Sequence, residues 1–182
     1  SAGGYLSYEN IADKATVAGV EVEVRKNLFV RPLSSAANGM NKLSFGLNGS
    51  YIYTNAKMPL ATVTTGSQLE GAAPWIANFD LSHNFTKGTH SFINTLVFNY
   101  VSDKIYTIGT QGYQDIIEQG MMTLDFVSQA KLNKYVSLTL KARNLLNPSY
   151  KLSRKANESG EKVVLSDYKK GINISLGVSC TF

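Results

Sequence analysis

Apolar and polar residues alternate with a period of two in seven stretches of the chain. Successive side chains of an extended backbone point to opposite sides, so this period predicts β-strands. The clearest stretch is the last one, where small or polar residues separate Ile172, Ile174 and Leu176. The predicted strands are residues 15–29, 42–55, 74–86, 90–102, 121–133, 135–147 and 171–182.

The connections between these stretches alternate between short and long. Residues 86–89 and 133–134 have the length and composition of tight turns, and residues 30–40 form a turn of medium length. The long connections are residues 55–73, 103–120 and 147–170. This rhythm is typical of an up-and-down membrane barrel with its short turns on the periplasmic side. In the last loop, residues 150–154 and 163–168 are strand-like, which predicts that the sixth and seventh strands continue as a solvated hairpin.

One side of the predicted sheet is apolar and the other side carries charge. The expected apolar belt consists of Val22, Phe45, Phe79, Phe126, Leu138 and Leu176. The charged residues on the opposite, luminal side are Glu21, Glu23, Arg25, Asp80, Asp125, Lys141 and Arg143. This placement matters because a Lys or Arg facing lipid at mid-bilayer costs about 2 to 4 kcal/mol. The chain is therefore predicted to be all-β and part of an antiparallel up-and-down transmembrane β-barrel.

Aromatic residues fall near the predicted ends of the strands on the apolar side. Membrane barrels carry such girdles where hydrocarbon meets water. Those expected at the outer interface are Tyr51, Tyr53, Trp75 and Tyr100, and those expected at the inner interface are Phe85 and Phe182.

A soluble antiparallel sandwich is the alternative fold, because alternation cannot distinguish a face packed on another sheet from one packed on lipid. Predicted strands of eleven or more residues argue against it, since strands of soluble proteins usually have about five or six. No stretch approaches the roughly 18 apolar residues of a membrane helix. The sequence also lacks a leader peptide, from which a mature or internal fragment is expected.

Composition offers little chemistry beyond the sheet. The net charge of +5 is spread along the chain, without the clustered basic stripe of a nucleic-acid binder. Ser82 and His83 are adjacent on a strand and therefore point to opposite faces, which argues against an enzyme. His83 and His90 lack further ligands at metal-binding spacing, and Cys180 is expected to be a small apolar residue. We therefore expect no cofactor, no metal and no catalytic site.

The last long loop is rich in cations. It contains Lys151, Arg154, Lys155, Lys162, Lys169 and Lys170 against Glu158, Glu161 and Asp167. Exposure of a hairpin to solvent is one explanation of this charge. The more specific alternative is contact with anionic lipopolysaccharide or with an anionic ligand.

Four motifs in chain order resemble the TonB-dependent outer-membrane receptors. The first is the stretch from Ala12 to Glu23, with Gly19, Glu21 and Glu23, which is similar to a strand that descends from an outer loop. The second is Leu69-Glu70-Gly71-Ala72-Ala73-Pro74-Trp75, which resembles the start of a strand after a loop. The third is Asn144-Leu145-Leu146-Asn147, similar to the end of the penultimate strand. The last is Ser175 to Phe182, which resembles the final strand of the family and its terminal aromatic signal for barrel assembly.

This resemblance implies a receptor with a 22-stranded barrel and an N-terminal plug, in the outer membrane of a Gram-negative bacterium. Residues 1–182 would supply about the last seven strands, while the plug and the remaining strands lie outside this chain. The implied activity is uptake of a scarce nutrient, such as a metal chelate, a cofactor or an oligosaccharide, driven by the TonB complex. The implied partners are the rest of the barrel and its plug, outer-membrane lipid with lipopolysaccharide, the TonB complex and the nutrient. The motifs assign no ligand-binding residue, and the alternative function is a passive channel or an adhesive barrel without a plug.

Overall fold

A computed structural model describes residues 14–33, 39–57, 68–109, 112–156 and 160–181. Within these ranges no helix is long and apolar enough to cross a membrane. The residues in these ranges form eleven strands. They are β1 (Lys14–Leu33), β2 (Gly39–Lys57), β3 (Trp75–Lys87), β4 (His90–Val101), β5 (Lys104–Thr107), β6 (Ile116–Glu118), β7 (Met121–Lys131), β8 (Val136–Arg143), β9 (Ser149–Lys155), β10 (Lys162–Lys169) and β11 (Asn173–Cys180).

Seven long strands form the main sheet, in the order β1-β2-β3-β4-β7-β8-β11. Every pair in this sheet is antiparallel. The prediction of one antiparallel sheet with sequential neighbours paired is therefore confirmed. Each predicted strand corresponds to one strand of this sheet, although several boundaries differ.

The boundaries differ most at the turn between β1 and β2 and at the end of β8. The turn predicted over residues 30–40 is shorter, because β1 continues to Leu33 and β2 begins at Gly39. The sixth strand was predicted to reach residue 147 but ends at Arg143. Phe182 lies outside the described residues.

The register places apolar residues together in rows across neighbouring strands. Phe79 on β3 pairs with Leu47 on β2 and with Phe98 on β4. Directly paired residues share a face of the sheet, so this row belongs to the apolar face. The neighbouring Asn78 pairs with Asn48 and Asn99 on the polar face.

A β-bulge in β1 changes which residues face each side near the inner end. Asn27 pairs with Ser44, but Phe29 rather than Leu28 pairs with Leu43, so Leu28 is the extra residue. Without the bulge, alternation from Val24 would place Phe29 on the polar face, whereas the bulge places it on the apolar face. Strand β1 therefore keeps an aromatic ring on the apolar face close to its inner turn.

Among the described residues, Arg31 and Lys87 lie at the inner end of the apolar face, and two features interrupt this face further outward. Lys26 pairs with Phe45 and so shares this face, an exception absent from the predicted set of charged residues. It lies one pair before the bulge, where a long side chain can extend its ammonium group toward the interface.

The second interruption is a row of polar side chains. His83 pairs with Asn94, which pairs with Ser128. These groups bond to polar neighbours on the same face: His83 Nε2 lies 2.8 Å from Asn41 Oδ1, and Ser128 Oγ donates to Asn94 Oδ1 at 2.7 Å. Mutual hydrogen bonds lower the cost of placing such groups away from water.

A smaller sheet extends the outer end of the main sheet. Its order is β10-β9-β6-β5, and we call it the upper sheet. The predicted hairpin of residues 150–154 and 163–168 is confirmed as the pair β9 and β10. The prediction that residues 103–120 form only a loop was wrong, because β5 and β6 lie there and β6 pairs with β9. These strands have only four and three residues, too few for alternation to reveal them.

The upper sheet repeats the strand order of the part of the main sheet below it. Strands β4, β7, β8 and β11 are consecutive neighbours, and along the chain they connect to β5, β6, β9 and β10 respectively. Four strands thus continue outward, with an interruption at one level that we call the bend. The bend consists of residues 102–103, 119–120, 144–148 and 170–172.

Candidate ligand-contact site at the bend

Two asparagines create the interruption between β8 and β9. Asn144 has φ 58° and Asn147 has φ 45°, values of the left-handed region that asparagine tolerates better than most residues. Asn144 Nδ2 donates to the carbonyl of Gly171 at 2.7 Å, and Gly171 N donates to Asn147 Oδ1 at 3.1 Å. Gly171 itself has φ 83°. The side chains therefore replace the ladder hydrogen bonds that the backbone loses at this point.

Carboxylates perform the same task on the neighbouring strands. Asp125 Oδ1 accepts a hydrogen bond from Asn144 N at 2.8 Å. Asp103 Oδ1 accepts one from Gly120 N at 2.5 Å. An unpaired backbone N–H is costly when it is shielded from water. The bend is thus a specified structural feature in which side chains satisfy the backbone groups that leave the sheet.

The bend borders an open cavity of about 380 Å³ on the polar face, which we call the bend cavity. Arg143 and Asn173 are paired residues at its base. Arg143 and Lys170 contribute two cations to its lining, and neither takes part in an ion pair within the described ranges. The lining residues are Met121, Thr123, Asp125, Arg143, Asn144, Pro148, Tyr150, Lys170, Gly171 and Asn173. The cavity can therefore donate hydrogen bonds to a polar ligand from two charged side chains.

Tyr150 connects this cavity to the upper sheet. Its hydroxyl donates to Glu118 Oε2 at 3.2 Å, and its ring lies 5.0 Å from that of Tyr168. Lys170 Nζ is 5.5 Å from the centre of the Tyr150 ring. Burial, followed by the charge and hydrogen bond of Glu118, raises the pKa of Tyr150 above the ordinary tyrosine value. The Tyr150 ring therefore lines the cavity next to the Lys170 ammonium group.

Below the bend, a polar belt crosses the main sheet. Asn48 Nδ2 donates to Glu21 Oε1 at 2.6 Å, and Asn78 Nδ2 donates to Asn48 Oδ1 at 3.3 Å. On the next strands Asn99 Nδ2 donates to Thr123 Oγ1 at 3.2 Å. Since Thr123 also lines the bend cavity, hydrogen-bonding groups continue from β1 to the cavity.

An ion cluster lies one row further inward on the same face. Arg25 Nε donates to Glu23 Oε1, and Arg25 pairs with Gly46, which pairs with Asp80. A Cβ atom at position 46 would lie 2.3 Å from Asp80 Oδ1. Because Gly46 has no side chain, the Asp80 carboxylate occupies this space and lies over β2, toward Arg25.

Comparison with known families identifies the family of this chain. A sequence model described as "TonB dependent receptor-like, beta-barrel" matches residues 1–145 of the 182. The chain belongs to this family. The family consists of transport receptors of the Gram-negative outer membrane rather than of enzymes. Neither a search of curated proteins nor a search of solved structures gives a match.

Family membership assigns the two faces of the main sheet. In a transmembrane barrel the apolar face contacts lipid and the polar face lines the lumen. The polar belt, the ion cluster and the bend cavity therefore belong to the lumen. Among the described residues no group of three or more His, Cys, Asp or Glu side chains could hold a metal ion.

The motif residues behind the resemblance have separate structural roles. Gly19 lies close to β2, since an added Cβ atom would be 3.0 Å from Tyr51 O. Gly71 has φ 79° and donates from its N to Ile105 O at 2.8 Å, which ties the loop before β3 to the upper sheet. Pro74 O accepts from Ile52 N at 2.9 Å. The structure thus brings Asn144 and Asn147 to the bend, where Asn144 lines the bend cavity and Asn147 accepts a hydrogen bond from Gly171. Elsewhere lie Gly19, Glu21, Glu23, Gly71, Pro74 and Trp75.

The five expected interface aromatics that the structure describes lie on the apolar face near the strand ends. The rings of Tyr51 and Trp75 are 4.5 Å apart, and Trp75 N donates to Ser102 Oγ at 3.0 Å. Tyr100 pairs with Ala77 one row further inward. At the opposite end the rings of Phe85 and Phe92 are 6.4 Å apart. Tyr53 pairs with Ala18, and its hydroxyl accepts from Asn55 Nδ2 at 3.2 Å.

Sequence reasoning did not identify the lining of the bend cavity. The sequence predicts Arg143 on the luminal side and Lys170 among the loop cations. Because the two positions lie 27 residues apart, the sequence does not indicate that they line the same cavity. The signal that could have connected them is the Asn144-Leu145-Leu146-Asn147 motif, which follows Arg143 directly. Asparagines that adopt left-handed conformations mark an interruption of the strand.

Proposed function

We propose that this chain forms part of the barrel of an outer-membrane receptor that takes up a scarce nutrient with energy from the TonB complex. In this proposal the nutrient is a metal chelate, a cofactor or an oligosaccharide. The main sheet supplies about seven strands of a 22-stranded barrel, and a plug outside residues 1–182 couples the receptor to TonB. Outer-membrane lipid and lipopolysaccharide surround the sheet. The family match supports the receptor role, while the substrate and the energy coupling are the proposed part.

The observation that carries the proposal is the bend cavity. It lies on the luminal face at the outer end of the main sheet, just below the upper sheet, where a ligand that has passed the upper sheet meets the wall of the barrel. Its cations are free of ion pairs among the described residues, and its asparagines, Thr123 and Tyr150 supply neutral polar groups. A small number of placed polar groups in a concave site is the usual composition of a binding site for a small ligand.

The open edges of the main sheet support the larger barrel. Strands β1 and β11 each have a partner on one side only among the described strands. Lipid provides no hydrogen-bond partners for an exposed edge, so a membrane sheet must close. Strands beyond the described ones are therefore expected beside β1 and β11.

The test is a growth assay with the complete receptor in a strain that lacks its own copy. Growth is measured on a panel in which a ferric chelate, a corrinoid cofactor or an oligosaccharide is the only source of the limiting nutrient. Each measurement is repeated in a strain without TonB. We expect one class of nutrient to require both the receptor and TonB for growth.

A double variant, Arg143→Gln with Lys170→Gln, tests the cavity in the same assay. We expect it to raise the nutrient concentration needed for half-maximal growth, while the matched variant Lys131→Gln at the inner end of the polar face leaves it unchanged. Growth that needs the receptor but is indifferent to TonB would instead show a passive channel. If growth on every nutrient were the same with and without the receptor, an adhesive barrel would be the function.

A further inference from the structure

The polar side chains that interrupt the apolar face form a continuous set across four strands. His83, Asn94 and Ser128 are directly paired neighbours on β3, β4 and β7. Asn41 on β2 joins them, because its Oδ1 atom lies 2.8 Å from His83 Nε2. We call this set the polar row. Since β3, β4 and β7 each have a paired neighbour on both sides, further strands of the barrel cannot cover it.

The aromatic residues at the strand ends place the polar row inside the hydrocarbon. Trp75 and Phe85 mark the outer and the inner interface on β3, and the ten residues between them span about 34 Å along the strand. At a strand tilt of about 40°, this length covers about 25 Å of membrane thickness, which is the height of the apolar band of a barrel. His83 lies two residues outward from Phe85, about 5 Å inside the inner interface. The polar row therefore faces acyl chains, which form no hydrogen bonds.

The polar row satisfies only part of its own hydrogen-bonding capacity. Ser128 Oγ donates to Asn94 Oδ1 at 2.7 Å. His83 Nε2 donates to Asn41 Oδ1. The amide N–H groups of Asn94 and Asn41, and the Nδ1 acceptor of His83, have no partner among the described residues. Because an unpaired polar group is costly in hydrocarbon, the surface that covers the row should both donate and accept hydrogen bonds.

The surroundings of the polar row favour a protein over a lipid head group as its partner. Arg31 and Lys87 lie further inward on the same face, so they meet lipid phosphates before the polar row does. On β3, β4 and β7 the adjoining residues of this face carry no charge; they are Leu81, Leu96 and Phe126 on the outer side and Phe85, Phe92 and Ala130 on the inner side. The ester carbonyls of lipids accept hydrogen bonds but donate none. Polar side chains of a second polypeptide do both.

A second copy of the receptor meets these requirements. All copies cross the membrane in the same direction, so a symmetric pair has its two-fold axis along the membrane normal, and each residue lies at the same depth as its counterpart. Asn94 is the middle one of the three paired residues. With the axis beside Asn94, the two amides face each other. Each can donate an N–H to the oxygen of the other, because a carbonyl oxygen that already accepts from Ser128 keeps a second lone pair.

We propose that the complete receptor forms a two-fold symmetric dimer in the membrane, with the polar row at the centre of the interface and the Asn94 amides of the two copies in reciprocal hydrogen bonds. The uncharged apolar residues around the row, such as Leu96 and Phe92, pack against their counterparts in the other copy. The proposal depends on which face of the main sheet contacts lipid and on no step of nutrient uptake.

The test measures dimerisation of the complete receptor in lipid vesicles. One fluorophore is attached at Lys134→Cys, in the turn between β7 and β8, in a receptor that also carries Cys180→Ser. Stepwise photobleaching counts the copies in each vesicle over a range of protein-to-lipid ratios, which gives the dissociation constant in the bilayer. Asn94→Leu removes the amide from the polar row. Its matched control, Asn99→Leu, makes the same change on the polar face of β4.

We expect the parent protein to dimerise and Asn94→Leu to raise the dissociation constant about tenfold, which corresponds to about 1.4 kcal/mol for two reciprocal hydrogen bonds in a membrane. Asn99→Leu should dimerise as the parent does, and heat-modifiable gel mobility shows that each variant is folded. Monomers at every protein-to-lipid ratio would overturn the proposal, and so would a dimer that Asn94→Leu leaves unchanged.

Disulfide cross-linking in the same vesicles tests the geometry of the dimer. Leu96→Cys lies one row outward from Asn94 on the same face and should cross-link to its counterpart in the other copy. Val178→Cys lies on β11, three strands from β4 on the same face, and should not cross-link. If Leu96→Cys formed no cross-link in vesicles that contain dimers, the interface would lie elsewhere and the proposal would be wrong.

Discussion

Asn144 is the residue whose replacement tests the bend most sharply. Its backbone has φ 58°, and its side-chain amide donates to Gly171 O at 2.7 Å. Alanine at this position would lose that hydrogen bond, worth about 1 kcal/mol, and would strain the left-handed backbone by about 1 kcal/mol more. The upper sheet should therefore open locally about 2 kcal/mol more easily, which corresponds to roughly 30-fold faster hydrogen exchange.

Glycine separates the two contributions. Asn144→Gly loses the same hydrogen bond, but glycine adopts this φ without strain. Its effect should therefore be smaller, about fivefold. The hydrogen bond from Asn144 N to Asp125 is a backbone donation and is retained in both variants.

The assay is hydrogen exchange of the complete receptor in lipid, followed by mass spectrometry of peptides. Peptides from β9 and β10 should exchange faster in the order parent, glycine variant, alanine variant. Peptides from the turn between β3 and β4 should not change, because this turn lies at the opposite end of the main sheet from the bend. Equal exchange in all three proteins, or faster exchange spread evenly over the main sheet, would refute the role given to Asn144.

Three further predictions concern the luminal face and the upper sheet. Gly46→Val should lower the temperature at which the folded barrel loses its heat-modifiable gel mobility, because the new side chain meets the Asp80 carboxylate, while Gly49→Ala should not. The pKa of Tyr150 should be higher than that of an ordinary tyrosine, about 10, so this residue leaves stability unaffected below that pH and lowers it above that pH. The phenolate absorbance that is lost in Tyr150→Phe measures this ionisation, and titration at the ordinary pH would contradict the prediction. Lys151 and Asp167 form an exposed ion pair with their charged atoms 3.2 Å apart. In a double-mutant cycle followed by hydrogen exchange, their coupling free energy should be less than about 1 kcal/mol. A larger coupling would show a structural role that the exposure of the pair does not explain.

The main sheet could be predicted from the sequence because each of its strands is long enough to show a period of two. In β11, for example, Ile174 and Leu176 share a face over a full strand, and the antiparallel order follows from short turns such as the one between β3 and β4. The signal is local, and local patterns are what a sequence displays directly.

The remaining features depend on contacts between distant parts of the chain. Strands β5 and β6 are too short to show a pattern, and β6 is defined by its pairing of Ile117 with Ser153. The bulge at Leu28 depends on the register with β2, and it moves Phe29 to the apolar face. The bend cavity requires Arg143 and Lys170 to meet, which follows only once β8, β9, β10 and β11 are arranged around the bend.

The family and the register together assign the polar face of the main sheet to a lumen and its apolar face to lipid. Spin labels at two adjacent positions of β3, Asn78 and Phe79, test this assignment. They are placed one at a time in the complete receptor, which carries Cys180→Ser and is inserted in a bilayer. Collision with oxygen, which concentrates in lipid, and with a water-soluble nickel chelate is measured at each position. We expect oxygen to reach the label at Phe79 and the nickel chelate to reach the label at Asn78. The reverse pattern, or protection of both labels from both reagents, would show that the two faces are assigned wrongly.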